Sequence, residues 1–102
     1  MKNSRCKEHD YERRITRELK EYFPNAITSR SGARYEDAKG IDIINTGMFN
    51  IQTKDRQNLN LFDVLSKEMP DNQNINIVFW KCNRQRDIVS WINRIFMSYY
   101  KY

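Results

Sequence analysis

The chain has 102 residues, of which 39% are hydrophobic, so it can form one domain (residues 1–102) with a single core and little burial to spare. Its 18 basic and 13 acidic residues give a formal charge of +5, which favours a polyanionic partner. No stretch approaches the roughly 20 apolar residues that a membrane span requires, which argues against a membrane partner. The two cysteines are too few for a disulfide framework, and we expect a cytoplasmic protein.

The first predicted helix covers residues 10–23. Apolar residues recur at 11, 15, 19 and 22–23, which is the spacing of one helix face. Asp10 is the predicted N-cap, and Pro24 ends the helix. Residues 1–8, which precede it, are predicted to form a flexible basic tail.

A polar loop follows the helix. Residues 26–29 predict a short strand, and the loop then runs from Arg30 to Gly40. Loops of this length in small domains are often functional. Because guanidinium groups and serine hydroxyls bind phosphate oxygens, Arg30, Ser31 and Arg34 are candidate phosphate contacts. The alternative is a solvated basic loop.

A β-hairpin is predicted next, with strands at 41–46 and 48–54 joined by an Asn-Thr-Gly turn. Alternation along the second strand places Gln52 and Lys54 on one face and Phe49 and Ile51 on the other. The hairpin therefore gives its second strand one polar face and one apolar face.

Strand pairing would bring Asp42 close to this polar face. Two oxygen ligands beside an ammonium group suit metal-assisted attack on a phosphodiester, and Asp42, Gln52 and Lys54 supply these groups. The alternatives are that Asp42 is a strand-end residue that pairs with Lys54 or caps the loop, and that Gln52 faces solvent.

The second half of the chain predicts a helix and two further segments. Leu59, Phe62, Leu65 and Met69 have helical spacing, so we expect a helix over 59–69, ended by Pro70. Residues 75–81 read as a central strand buried on both faces, parallel to the Gln52 strand. Residues 88–91 are either a strand or the start of a helix that continues to Tyr100.

The C-terminal segment is unusually aromatic for a domain of this size. We expect this surface to form a dimer interface, and packing in the core is the alternative. Its large side chains are Trp91, Ile95, Phe96, Tyr99 and Tyr100.

The order of these motifs resembles the PD-(D/E)XK nuclease superfamily. In that superfamily an Asp precedes a hairpin, and the next strand carries an acidic residue, a spacer and a Lys. Asp42 and Gln52-Thr53-Lys54 match this pattern, with Ile41 in place of the Pro and Gln52 in place of the acid. Some branches use Gln at this position, and its amide oxygen can still bind a metal. Among the members, the chain is most similar to Holliday junction resolvases of phage or archaeal type, whose first helix carries a Glu followed by an Arg, as in Glu12-Arg13.

The resemblance implies an α/β fold, specifically a small restriction-endonuclease-like domain with a central mixed β-sheet flanked by helices. It also implies an Mg²⁺-dependent endonuclease, with Mn²⁺ as a substitute, that cuts branched DNA as a homodimer in the cytoplasm of its cell or viral host. Glu12, Asp42 and Gln52 would be the metal ligands, with the peptide carbonyl of Thr53 as a further ligand. Lys54 would complete the catalytic set. The expected DNA contacts are Arg30, Ser31, Arg34, Arg56 and Arg84.

Three other functions remain open from the sequence. The same scaffold could nick or repair other DNA structures. The site could instead be silent because Gln52 lacks the charge of an acid, which would leave a DNA- or protein-binding module. Glu36 and Asp37, close to Asp42, could replace that charge. The third function is an inhibitor or adaptor that binds a protein through the aromatic C-terminal segment.

Overall fold

The computed structural model describes residues 4–32, 39–82 and 86–91. It shows an α/β domain in which helices flank one mixed five-stranded sheet, as the sequence predicts. The helices are α1 (Ser4–Leu19), the single turn α2 (Ser29–Gly32) and α3 (Leu61–Asp63), which continues as a π-helical segment (Val64–Glu68). The strands are β1 (Ile27–Thr28), β2 (Ile43–Ile44), β3 (Phe49–Asp55), β4 (Ile75–Lys81) and β5 (Ile88–Trp91). None of the helices within these ranges has the length and apolar character needed to cross a bilayer.

The strands lie in the sheet in chain order, β1-β2-β3-β4-β5. The first three are antiparallel neighbours, β3 and β4 are parallel, and β5 returns antiparallel to β4. The parallel pairing confirms the prediction made from the strand, helix and strand order. The question left open at 88–91 is also answered, because these residues form a strand; residues 92–102 lie outside the described part of the chain.

Helix α1 begins and ends earlier than predicted. Residues 4–8 are helical instead of forming a tail, and Asp10 is therefore not the N-cap. This segment contains no Gly or Pro, and Arg56 Nε donates to Glu8 Oε1 at 3.1 Å, which holds the start of the helix against the sheet. At the other end, the N–H groups of Tyr22 and Phe23 both donate to the Leu19 carbonyl, so the helix closes before Pro24.

Two apolar clusters hold the layers together, one on each face of the sheet. The first lies under α1 and includes Tyr11, Ile15, Ile43 and Ile51. The second lies under the α3 connection. Since Ile51 faces α1, its strand neighbours Gln52 and Lys54 face the α3 side, which confirms the predicted alternation.

The α3 connection is helical, as predicted, but its buried face differs from the predicted one. Leu65 and Met69 are buried as expected, whereas Phe62 is 68% exposed and Val64 is buried in its place. The π-helical segment holds more residues per turn than an α-helix, and this changes which side chains face the sheet. The connection still ends before Pro70, with Met69 already extended (φ −115°, ψ 155°).

Two further predictions need correction. Strand β4 has the predicted bounds and two strand neighbours, but only Val78 is fully buried, so the strand is half-covered and not buried on both faces. The predicted loop from Arg30 begins with the helical turn α2. Residues 33–38 of that loop, which include Arg34, Glu36 and Asp37, lie outside the described residues.

We expect Gly40→Ala to destabilise the protein much more than Gly47→Ala. Both glycines have positive φ (86° and 64°). Each substitution therefore forces a residue with a Cβ into the left-handed region, which costs about 1 kcal/mol. A Cβ on Gly40 would also lie 2.0 Å from the main-chain oxygen of Glu68, whereas one on Gly47 meets only the ring of Phe23 at 3.4 Å. Urea unfolding should show a loss of about 3 kcal/mol or more for Gly40→Ala. Equal losses for the two variants would contradict this close approach.

Candidate active site

Asp42 lies at the base of the hairpin and is anchored by hydrogen bonds of its main chain and its side chain. Its N–H donates to the Ile51 carbonyl at 2.7 Å, and its carbonyl accepts from the Ser29 N–H at 2.8 Å. Its side-chain Oδ2 accepts from the Thr53 N–H at 2.9 Å. The carboxylate is therefore fixed beside β3, next to the middle residue of the Gln52-Thr53-Lys54 motif.

Gln52 is buried, with 5% of its surface exposed. Of the two polar atoms of its amide, only the nitrogen has a hydrogen-bond partner among the described residues. The Nε2 group donates to the Gly40 carbonyl at 3.0 Å, which fixes the orientation of the amide because a carbonyl can only accept. Oε1 has no hydrogen-bond partner among the described residues. A buried oxygen without a partner is costly, so this atom is available to a ligand.

Lys54 shares the face of Gln52 and is bound to a residue that the sequence analysis missed. Its Nζ lies 3.1 Å from Glu68 Oε1, at the end of the π-helical segment, and its side chain is only 11% exposed. The α-helical spacing of the apolar residues gives no signal for this contact, because Glu68 ends a π-helical segment with a different number of residues per turn. The pairing itself depends on the path of the whole connection.

Glu12 is also buried, but it belongs to α1 on the opposite face of the sheet from Gln52 and Lys54. Its Oε1 accepts from two atoms of Arg30, Nε at 3.2 Å and Nη2 at 3.0 Å. Arg30 directly follows Ser29, whose N–H donates to the Asp42 carbonyl. The structure thus places Asp42 beside the Gln52-Thr53-Lys54 motif on β3. The Glu12–Arg30 pair lies on the α1 side of the sheet.

The other predicted phosphate contacts are exposed where they are described. Ser31 Oγ shares a hydrogen bond of 2.8 Å with Thr28 Oγ1. Arg56 is exposed and pairs with Glu8. Arg34 and Arg84 lie outside the described residues.

The candidate oxygen donors on β3 and beside it are of mixed type. Within residues 4–32, 39–82 and 86–91, no group of three or more His, Cys, Asp or Glu side chains is placed to hold a metal ion. The donors present are instead the Asp42 carboxylate and the unpartnered Gln52 Oε1. The Thr53 carbonyl is expected to point towards Asp42 as well, since the N–H and C=O of one strand residue face the same neighbour.

Comparison with family models, with curated proteins and with solved structures finds no match to this chain. The α/β architecture and its mixed sheet are established by the structure itself. The relation to the nuclease superfamily remains a resemblance in motif.

We expect Arg30→Ala to lower the free energy of unfolding by about 2–4 kcal/mol. The substitution removes two donors from the buried Glu12 carboxylate and leaves its charge without this cation. The control is Arg13→Ala on the same helix as Glu12, whose side chain is 61% exposed and should cost less than about 1 kcal/mol. Urea denaturation measures the loss for both variants. If the two losses agree to within about 0.5 kcal/mol, the pair of Arg30 with Glu12 stabilises the protein no more than an exposed ion pair does.

Proposed function

We propose that the protein is a metal-dependent endonuclease acting on branched DNA, similar to Holliday junction resolvases. The observation that carries the proposal is Gln52 Oε1, a buried oxygen with no partner among the described residues, on the strand to which Asp42 is bound. The order of α1, β1, the basic turn α2, the hairpin and β4 also agrees with the order that the resemblance implies.

The donors present fit a hard divalent cation. Mg²⁺ prefers carboxylate, amide and carbonyl oxygens, and the Asp42 carboxylate, Gln52 Oε1 and the Thr53 carbonyl are of these types. These three groups would hold the ion. When bound, it supplies charge neutralisation at the phosphodiester oxygens and acidifies a water molecule.

Lys54 and Glu68 supply the remaining chemistry. The ammonium group of Lys54 can donate hydrogen bonds to a phosphate oxygen and stabilise negative charge that develops there. Glu68 holds this ammonium group at 3.1 Å from its Oε1 on the same face as Gln52. Glu68 is therefore a positioning residue for Lys54.

Charge and exposed apolar surface support the DNA substrate and the homodimer. The formal charge of +5 favours binding to the phosphate backbone, and recognition of a junction would depend on shape and backbone contacts. On β5, the side chains of Ile88, Val89 and Trp91 are 43–50% exposed in the described part of the chain. A two-fold dimer through this strand would present two sites to a four-way junction.

A silent DNA-binding module is the second candidate, and two ion pairs favour it. Arg30 neutralises Glu12, and Glu68 neutralises Lys54, so two of the charged groups expected in a catalytic site already have partners. Gln52 adds no charge of its own. In that case the protein would bind junctions without any dependence on Mg²⁺.

The first test is Mg²⁺-dependent cleavage of a labelled four-way junction, compared with a linear duplex of the same arms. We expect paired nicks in the junction, and a loss of about 100-fold or more in rate for Asp42→Asn and for Lys54→Met. Lys67→Met is the matched control for Lys54→Met, because Lys67 lies on the π-helical segment with a side chain that is 72% exposed. Tight junction binding without cleavage in Mg²⁺ or Mn²⁺ would reject the endonuclease and leave the binding module.

A second test introduces a negative charge at the proposed cation site and measures the melting temperature. In Gln52→Glu without Mg²⁺, a carboxylate would replace the amide that donates to the Gly40 carbonyl, and we expect the melting temperature to fall by about 10 °C. Added Mg²⁺ should restore most of this loss, because the new carboxylate is a stronger ligand.

The matched control for this test is Gln73→Glu, which introduces the same charge at an exposed loop position. Its melting temperature should change little with or without Mg²⁺. If Mg²⁺ shifts the wild type and both variants equally, or shifts none of them, Gln52 is not beside a cation site.

A further inference from the structure

A second site lies on the opposite face of the sheet from Gln52 and Lys54. A partly open cavity of about 300 Å³ lies between α1 and the ends of β3 and β4, where Asp55 and Lys81 are register partners. This volume is at the lower end of the range for small-ligand sites. Four cations line it, together with the acids Asp10 and Asp55; the cations are Lys7, Arg14, Arg17 and Lys81.

Two buried hydrogen-bond donors line this cavity, the Tyr11 hydroxyl and Arg14 Nε. Tyr11 is 3% exposed and its hydroxyl interacts with the Asp87 carboxylate, whereas Arg14 Nε has no hydrogen-bond partner within the described residues. The two groups are adjacent, because the Arg14 guanidinium lies 5.0 Å from the centre of the Tyr11 ring. Arg14 Nε can only donate, so the missing partner must supply an acceptor oxygen.

The surroundings of Tyr11 keep its hydroxyl protonated. Burial is the main cause that raises its pKa above the ordinary value, and the nearby Asp87 carboxylate raises it further, so the hydroxyl stays protonated at neutral pH. Asp87 is itself paired with Arg14. Asp10 is paired with Arg13, although at 3.8 Å, so part of the acidic charge at the cavity is compensated within the protein.

We propose that this cavity binds a phosphate group. Its cations outnumber its acids, and a tetrahedral oxyanion presents several acceptor oxygens to a tyrosine hydroxyl and a guanidinium group at once. The phosphate could belong to a nucleic-acid backbone or to a small phosphorylated ligand. The site itself does not depend on the proposed nuclease activity; only its assignment to a DNA backbone rests on that proposal.

The experiment measures binding of inorganic phosphate by calorimetry at constant ionic strength. We expect Tyr11→Phe to weaken binding about tenfold, because one donor to a charged ligand is lost, and Lys81→Gln to weaken it about threefold. Lys67→Gln, which removes the same charge from the α3 side of the sheet, should change the affinity little. A cooperative melting transition of Tyr11→Phe in phosphate-free buffer, close to that of the wild type, shows that the variant is folded.

A second arm measures the affinity of the same variants for a labelled DNA duplex by anisotropy. Loss of phosphate and DNA affinity together supports the site and assigns it to the nucleic-acid backbone. Loss of phosphate affinity alone supports the site and assigns it to a small phosphorylated ligand. If phosphate does not bind, or if Tyr11→Phe and Lys81→Gln bind it as well as Lys67→Gln does, the proposal is wrong. The junction-cleavage rate tests the nuclease separately, because neither Tyr11 nor Lys81 lies on the face of Gln52.

Discussion

The polar face of β3 is the constraint on which much of the structure depends. Asn50 and Gln52 alternate with apolar residues and are nevertheless buried, so each must find hydrogen-bond partners away from water. Asn50 donates to Asn72 at 2.9 Å and to Asn76 at 2.7 Å, which fixes the loop that leads into β4. Gln52 donates to Gly40, which fixes the chain that leads into the hairpin. One strand thereby determines the position of the segments on either side of it.

Local patterns in the sequence were sufficient for β3 and for the bounds of β4, whereas they left β5 open between strand and helix. The alternation in β3 and the bounds of β4 depend on neighbouring residues only, and both were predicted correctly. The errors arise where distant groups decide the outcome. Helix α1 starts at Ser4 with Glu8 bound to Arg56, and the exposure of Phe62 follows from a π-helical segment that the apolar spacing does not show.

The same difference between local patterns and contacts of distant groups applies to the candidate site. The proximity of Asp42 to the Gln52 motif follows from hairpin pairing alone, and the structure places the Asp42 carboxylate on the Thr53 N–H. The partners of the charged residues could not be predicted from the sequence, because each ion pair joins segments that are far apart in the chain. Glu12 and Arg30 are separated by 18 residues, and such contacts require the complete tertiary structure. For DNA binding, these pairs also mean that several cations would exchange a carboxylate for a phosphate, which reduces the net gain from each contact.

The π-helical segment Val64–Glu68 links the length of the connection to the chemistry of the site. A π turn accommodates one residue more than the α-helical turn it replaces, and Glu68 ends the segment with its carboxylate on Lys54. A regular α-helix of the same length would rotate Glu68 about the helix axis and away from Lys54. In any descendant of this sequence, loss of the π turn should therefore be accompanied by deletion of one residue from the connection if the acid is to stay on Lys54.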